Sequence, residues 1–336
     1  MLSLHSVACI IVNYNGLAKT LACLDALLTM SAPPRSICIV DNGSRPGESD
    51  ALLRAWTELC WQRQLDAPVS CPPQAGVSLS GGLFLPLTEN KGFAGGNNAA
   101  LRMLLAASDC QAFWLLNNDT LPQPDALEAL VRRMNQRPDA GMVGSTLIRA
   151  HDGLLQTAAG ITLNPLIGTT RYVLEGLPPA KLPECDVHAV ESKLATITGA
   201  SCLVRRAALE HVGLMDEGFF LYYEDVDWSL RFRKAGYALA WAKESVVVHE
   251  VGGSAPGGDA PARAYAALVY YLSCRNRLRL MLTHYPLGLP TTLLSFVYVF
   301  FKRMLRGEPE KVLLVVKAAC AALRNEQGAP VTGTNK

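Results

Sequence analysis

The chain has 336 residues, half of them hydrophobic and 18% charged, which suits one large globular domain or two moderate ones. A formal net charge of +2 lacks the strongly basic balance that nucleic-acid binding needs, so no nucleic-acid partner is expected. Ten cysteines include no C-x-x-C pair and no metal-finger spacing; Cys9, Cys38 and Cys202 lie in apolar runs, and the set reads as reduced, buried thiols of a cytoplasmic protein. The apolar N-terminus has no basic leader and is interrupted at Asn13 and Asn15, so it does not read as a signal peptide, and no apolar run has the length of a membrane-spanning helix.

In chain order, residues 7–12 form a β-branched apolar run that stops at Asn13-Tyr14-Asn15-Gly16, the pattern of a buried strand ending in a loop. Leucines 17, 21, 24 and 28 have helical spacing, and Pro33-Pro34 stops that helix. A second strand at 37–40 ends in Asp41-Asn42-Gly43-Ser44, a helix is expected over 49–59, and 60–83 reads as a loose insertion. A third strand at 84–87 runs into a polar Gly/Asn loop over 89–98, followed by a helix over 99–107. A fourth strand at 113–116 ends in Asn117-Asn118-Asp119. Alternating strands and helices predict an α/β fold, a mostly parallel sheet with helices on both faces. Ligands of such sheets bind beyond the carboxyl ends of the strands, where every polar cluster named so far falls. Further on, strands are expected at 141–148, 195–204 and 239–248, the last ending on His249, with helices at 206–212 and 224–235 and loops with short strands over 151–192.

Several of these clusters can carry chemistry. Asp119 at a strand end can hold a hard divalent cation, although on its own a turn explains Asn117-Asn118-Asp119 better. Glu224-Asp225-Val226-Asp227 crowds three carboxylates, and repulsion with partial burial can raise one of them into a base that works near neutrality. The same acids also suit a helix N-terminus, with Asp227 and Arg231 spaced for a surface ion pair. His249 is a candidate metal ligand or a structural histidine. Lys91-Gly92-Phe93-Ala94-Gly95-Gly96 fits neither the dinucleotide fingerprint nor a Walker loop, but a glycine loop before a helix suits close approach to a phosphate or sugar.

Taken together and in order, these elements closely resemble glycosyltransferase family 2, of the GT-A fold. The matching set runs through Ile11-Val12-Asn13-Tyr14-Asn15, Val40-Asp41-Asn42-Gly43-Ser44, Asn90-Lys91-Gly92-Phe93-Ala94-Gly95-Gly96-Asn97-Asn98 and Leu116-Asn117-Asn118-Asp119. It continues through Thr198-Gly199-Ala200-Ser201 with Arg205-Arg206, Asp216-Glu217 with Phe219-Phe220, Glu224-Asp225-Val226-Asp227, and His249 with Gly252-Gly253-Ser254. The flavour is that of the rhamnosyltransferase and galactofuranosyltransferase-like branch, which builds bacterial surface polysaccharides. The resemblance implies a nucleotide diphosphate sugar as donor, bound by Asn13, Asn15, Asp41, Asn42, Asn90, Lys91, Gly92, Gly95, Asn97 and Asn118. It makes Asp225 the catalytic base with Glu224 its neighbour, and gives Asp119 and His249 to a divalent metal, Mg2+ or Mn2+. The family's first metal-motif carboxylate is absent, since the motif reads Asn-Asn-Asp here, so Asp119, His249 and the donor diphosphate are expected to share the metal. One direct displacement by an acceptor hydroxyl would invert the anomeric centre.

The expected organisation is a GT-A catalytic domain over 1–255, with a nucleotide-binding part at 1–120 and an acceptor and catalytic part at 195–255, then a basic, apolar helical extension over 256–336. Helical patterns at 265–282, 287–301 and 312–323 carry Arg275, Arg277, Arg279, Lys302, Arg303 and Arg306. They fit helices lying on the inner face of an anionic membrane, where a saccharide or lipid-linked acceptor would be met, or a helical cap packed on the catalytic domain or on a second subunit. A sugar nucleotidyltransferase would instead need a glycine-arginine-rich loop after the first strand, where this chain has Asn13-Tyr14-Asn15, and a non-catalytic sugar- or nucleotide-binding module would not need Glu224, Asp225 and Asp119 together.

Overall fold

Strand β1 (Val7–Asn13) is apolar on both sides, which commits it to the middle of a covered sheet. Ala8 and Ile10 enter the core on one face, and Val7, Cys9 and Ile11 enter the core on the other. The computed structural model describes residues 1–70, 81–250 and 262–330. After β1 come α1 (Leu17–Leu28), β2 (Ser36–Asn42), α2 (Glu48–Gln62), β3 (Val69–Ser70), β4 (Gly81–Leu87), α3 (Gly92–Ala107), β5 (Ala112–Asn117), β6 (Thr120–Pro122) and α4 (Ala126–Gln136). Then follow β7 (Ala140–Arg149), β8 (Leu155–Ala158), β9 (Gly160–Leu163), β10 (Thr170–Tyr172), α5 (Val187–Glu191), β11 (Thr196–Ile197) and β12 (Ser201–Arg205). The chain continues through α6 (Arg206–Val212), α7 (Glu224–Lys234) and β13 (Ala238–His249) to α8 (Ala262–His284), α9 (Leu289–Leu305) and α10 (Pro309–Leu323).

The main sheet has the order β3-β4-β2-β1-β5-β12-β7-β13-β6, with β8 paired to β7. Strands β3, β4, β2, β1 and β5 are parallel neighbours, as are β7 and β13, while β12 runs antiparallel between β5 and β7. Helices α1, α2 and α4 cover one face and α3, α6 and α7 the other. A smaller sheet, β10-β9-β11, stands beside the main one. Of the described cysteines, Cys9, Cys23, Cys38, Cys60, Cys110 and Cys202 are buried free thiols, but Cys320 is exposed.

Three sequence expectations change. The Gly/Asn loop at 89–98 is helical from Gly92, although glycine and asparagine disfavour helix. Packing overrides propensity there: a Cβ on Gly96 would stand 2.8 Å from Val12 Cγ1, and Asn98 exchanges hydrogen bonds with the Met215 backbone through both ends of its amide. The run at 195–204 is two strands, β11 and β12, in different sheets, broken at Thr198-Gly199-Ala200. The insertion at 60–83 is trimmed at both ends, because α2 reaches Gln62 and β4 starts at Gly81. Residues 71–80 of it, the Gly252-Gly253-Ser254 element and the boundary at 255/256 lie outside the described residues.

In the tail, α8 follows the alternative of a helical cap packed on the catalytic domain. Arg275 is 1% exposed, Arg277 stacks over Phe296 with its guanidinium carbon 4.4 Å from the ring centre, and Arg279 pairs with Asp216 at 2.9 Å. None of these three arginines faces outward to a membrane; α8 uses them to dock. Leu280 on α8 shares one buried cluster with Ile161, Phe219, Val226 and Leu230. Among the described residues, no helix is long and apolar enough to cross a membrane. Leu280→Ala is expected to cost about 2–5 kcal/mol and to lower the midpoint of one cooperative unfolding transition in denaturant. An unchanged main transition would mean that α8 folds independently of the sheet.

Candidate active site

The carboxyl ends of β1 and β2 are joined by side chains rather than by backbone alone. Asn13 donates through Nδ2 to Asp41 Oδ1 (2.7 Å) and accepts at Oδ1 from Thr20 Oγ1 (2.8 Å) and the Gly16 N–H (3.2 Å). Ser44 Oγ also donates to Asp41 Oδ1 and accepts the Asn15 N–H. Asn15, in the left-handed region at φ 52°, accepts the Arg45 N–H, and Asn118 donates to Thr20 Oγ1 (3.0 Å). One step along the sheet, Asn42 donates to Asn90 Oδ1 and the Gly92 carbonyl and accepts the Lys91 N–H. Asn90 Oδ1 in turn takes the Gly92 N–H, and Asn97 Nδ2 bonds the Phe93 carbonyl. Gly92, at φ 71°, lies so close to the loop before α7 that a Cβ would sit 2.1 Å from the Phe220 carbonyl oxygen, while a Cβ on Gly95 would strike Lys91 Cβ. The expected donor-binding residues thus lie along one edge, in which the buried Asn13, Asn42 and Asn97 shape the backbone.

Asp119 follows β5 and His249 ends β13, which is antiparallel to β6 just beyond Asp119. Both are buried, and His249 Nε2 lies 3.2 Å from Asp119 Oδ1. On its other side, His249 Nδ1 is 2.7 Å from Gln156 Oε1 on β8. An amide oxygen can only accept, so Nδ1 carries a proton, and in the neutral imidazole Nε2 then has its lone pair toward the carboxylate. Two electron-rich atoms facing each other, with a second-sphere acceptor orienting the imidazole, suit a shared hard cation. Among the described residues no group of three or more His, Cys, Asp or Glu could hold a metal, so these two ligands would need oxygens from a bound ligand.

Across the edge, α7 begins with Glu224 and Asp225. Burial and the adjacent Asp225 charge push the Glu224 carboxyl well up. Burial likewise raises Asp225, to about 6, against hydrogen bonds from the Gly199 and Val226 N–H groups. Asp227 differs: burial raises it, but the His284 hydrogen bond (2.7 Å) and Arg231 (2.8 Å) outweigh that and hold it low. The expected surface pair of Asp227 and Arg231 is therefore a buried junction with α8. Of the three crowded acids, only Glu224 and Asp225 have the character of a proton acceptor near neutrality.

Sequence reasoning singled out neither Gln156, which sits in a weakly patterned stretch, nor Tyr172 and Tyr265, whose roles depend on which strands and helices become neighbours. Thr198 was visible only as part of a motif; its hydroxyl is buried without a hydrogen-bond partner one residue before Gly199. Because both raised carboxyls hold their protons more tightly folded than unfolded, ionising them costs stability as pH rises above the ordinary carboxylate range, through about 6 for Asp225. Asp225→Asn should therefore raise the thermal midpoint at pH 8 by more than at pH 4. Equal shifts at the two pH values would contradict the burial of this charge.

The sequence from residue 5 to 262 matches the family model "Glycosyltransferase like family 2". An N-acetylglucosaminyl-diphospho-decaprenol L-rhamnosyltransferase of Mycobacterium tuberculosis is 27% identical over 248 residues, 67% of this chain and 70% of that protein. The O-antigen biosynthesis protein RfbC of Myxococcus xanthus is 26% identical over 72% of this chain, which spans only 17% of that protein. Among solved structures, GalNAc-T7 with UDP, GalNAc and Mn2+ aligns at TM-score 0.55 and 14% identity, over 82% of this chain and 47% of that one. The mannosyltransferase PcManGT from Pyrobaculum calidifontis, with GDP-Man and Mn2+, aligns at 0.51 and 17% identity over 96% and 88%. These likenesses show the GT-A fold. With the family model covering most of its length, the chain belongs to glycosyltransferase family 2 and is a glycosyltransferase.

Proposed function

We propose that this enzyme moves a sugar, rhamnose by analogy with its mycobacterial relative, from a nucleotide diphosphate donor to a lipid-linked saccharide acceptor in surface polysaccharide synthesis, with inversion of the anomeric centre. The observation that carries the reading is the opposition of two unlike groups at one sheet edge. Asp225 has a raised carboxyl suited to taking a proton near neutrality, while Asp119 and His249 offer an oxygen and an imidazole nitrogen suited to a cation. Asp225, raised by its burial, would accept the acceptor hydroxyl proton as that oxygen attacks, with Glu224 its buried neighbour. The Asn13–Asp41 and Asn42–Asn90 networks would hold the nucleotide and the diphosphate edge. A divalent cation, Mg2+ or Mn2+, bound by Asp119, His249 and the donor would neutralise charge on the departing diphosphate.

Nucleotide diphosphates and their sugars should be screened for thermal stabilisation with and without Mn2+, and the best donor then assayed for hydrolysis and transfer. The expected result is a transfer rate that climbs with pH through about 6. Asp225→Asn should abolish transfer yet keep donor stabilisation, whereas His249→Ala should lose the Mn2+ increment. Robust transfer by Asp225→Asn would sink the assignment of the base.

The acceptor class bears on the tail. Pro290, Leu293, Leu294, Val297, Tyr298, Phe301, Met304 and Leu305 recur every three or four residues along α9, and all are exposed. The helix has no acidic residue, and exposed Lys302 and Arg306 lie at its end. Such a face suits the surface of an anionic bilayer, here the cytoplasmic one, lying flat rather than spanning. In flotation assays the enzyme should rise with phosphatidylglycerol vesicles and release in high salt, and Leu294→Glu with Phe301→Glu should stay at the bottom. A protein that ignores vesicles but dimerises with rising concentration, and is made monomeric by the same pair of substitutions, would assign the stripe to a second copy instead.

A further inference from the structure

The loop leading into α7 holds three bulky residues, Phe220, Tyr222 and Tyr223, at φ 66°, 68° and 71°. The left-handed region is costly for side chains of this kind, and it persists only where neighbours impose it. Helix α8 imposes it here. Asn276 Nδ2 donates to the carbonyls of Phe219 (2.8 Å), Leu221 (2.9 Å) and Tyr222 (2.8 Å). Arg275 donates to the Gly218 and Phe219 carbonyls through Nη2, and its Nε holds Asn276 Oδ1 at 2.9 Å.

That conformation sorts the aromatic side chains. Phe219 is buried, and Tyr223 turns inward, where its hydroxyl donates to the Gly168 carbonyl at 3.0 Å. Tyr222 alone of these is left 38% exposed. The phenol of Tyr265 from α8 lies close enough to act on that of Tyr222. Tyr172 from β10, 39% exposed, has its hydroxyl 3.3 Å from Gln156 Nε2, the amide that also orients His249. The surroundings tie these rings to the reacting carboxylates. After burial, the charge of Asp225 helps to push the Tyr172 phenol up, as Glu224 and Tyr172 do for Tyr222 and Asp119 does for Tyr265. Three tyrosines from three separate elements thus lie within electrostatic reach of the two acidic centres, and Tyr172 reaches His249 through the Gln156 amide.

We propose that Tyr172 and Tyr222 form the subsite for the acceptor's terminal sugar ring, with Tyr265 beside the Tyr222 phenol. An exposed aromatic ring is a platform for the C–H face of a pyranose, while phenol hydroxyls offer partners to its hydroxyl groups. The position beside Asp225 favours the acceptor over the donor, whose expected contacts lie at the β1–β2–α3 edge. This subsite rests on the glycosyltransferase reading above and names which chemistry meets the acceptor.

The test uses a short-chain polyprenyl diphosphate N-acetylglucosamine as the acceptor probe, with the full-length enzyme and saturating donor. Tyr222→Ala and Tyr172→Ala should each raise the acceptor KM at least tenfold while the donor KM stays within twofold, and Tyr222→Phe, which keeps the ring, should stay within threefold of wild type. An acceptor KM unchanged within twofold in a variant that melts normally, or donor and acceptor KM rising together, would overturn the subsite. Saturation-transfer NMR of the same probe without donor separates the two proposals. Contact with the probe that is lost in Tyr222→Ala supports the subsite even if no transfer is found. Contact insensitive to both substitutions, or no contact at all, removes it whatever the enzyme's activity.

Discussion

Three backbone carbonyls of a strained loop converge on one buried amide, Asn276 Nδ2, and much of the site depends on that convergence. Buried carbonyls without partners are costly, and left-handed aromatic residues are costly as well, so neither would persist alone. Together they are mutually required: the loop turns its carbonyls toward α8 because it is left-handed, and α8 stays docked because the carbonyls need its donors. The same loop accepts the Phe93 N–H at the Phe220 carbonyl (2.8 Å), so the glycine-rich start of α3 is registered against it. A helix far along the chain thereby sets the distance between the two halves of the site. This makes α8 a structural partner of the catalytic helix, reinforced where His284 meets Asp227.

The two acidic centres are built by opposite physics. Asp225 and Glu224 are made reluctant to ionise by burial, to which the Asp225 charge adds at Glu224, a condition that harms stability and suits proton transfer. Asp227, two residues away on the same helix, is given an arginine and a histidine and is held ionised. Less than one helical turn thus separates the reactive carboxyl pair from the anchoring carboxylate. On the opposite side, His249 is oriented through Gln156, and this second-sphere contact sets which imidazole nitrogen meets Asp119.

Most strands and helices could be read from the sequence because their signals are local. The apolar run at β1 and the leucine spacing of α1 report burial that any packing would require, and the element bounds follow closely. The start of α3 could not be read, because Gly92, Gly95 and Gly96 carry a coil propensity that only close approach to Phe220, Lys91 and Val12 overturns. The arginines of α8 misled for a related reason: charge in a sequence suggests solvent or lipid, while here it meets backbone carbonyls, an aromatic ring and Asp216.

By itself, then, the sequence determined the fold class, the family, and the collection of Asn13, Asp41, Asn42, Asp119 and His249 at strand ends, since alternating apolar runs must stop in polar residues at one edge of a parallel sheet. Tertiary structure alone decided which acid is a raised carboxyl and which is an anchored one, that Gln156 stands behind His249, and that Tyr172, Tyr222 and Tyr265 meet. The reason is that pKa, tautomer and aromatic juxtaposition are properties of neighbours distant in the chain. No window of sequence contains Asn276 and the loop it holds.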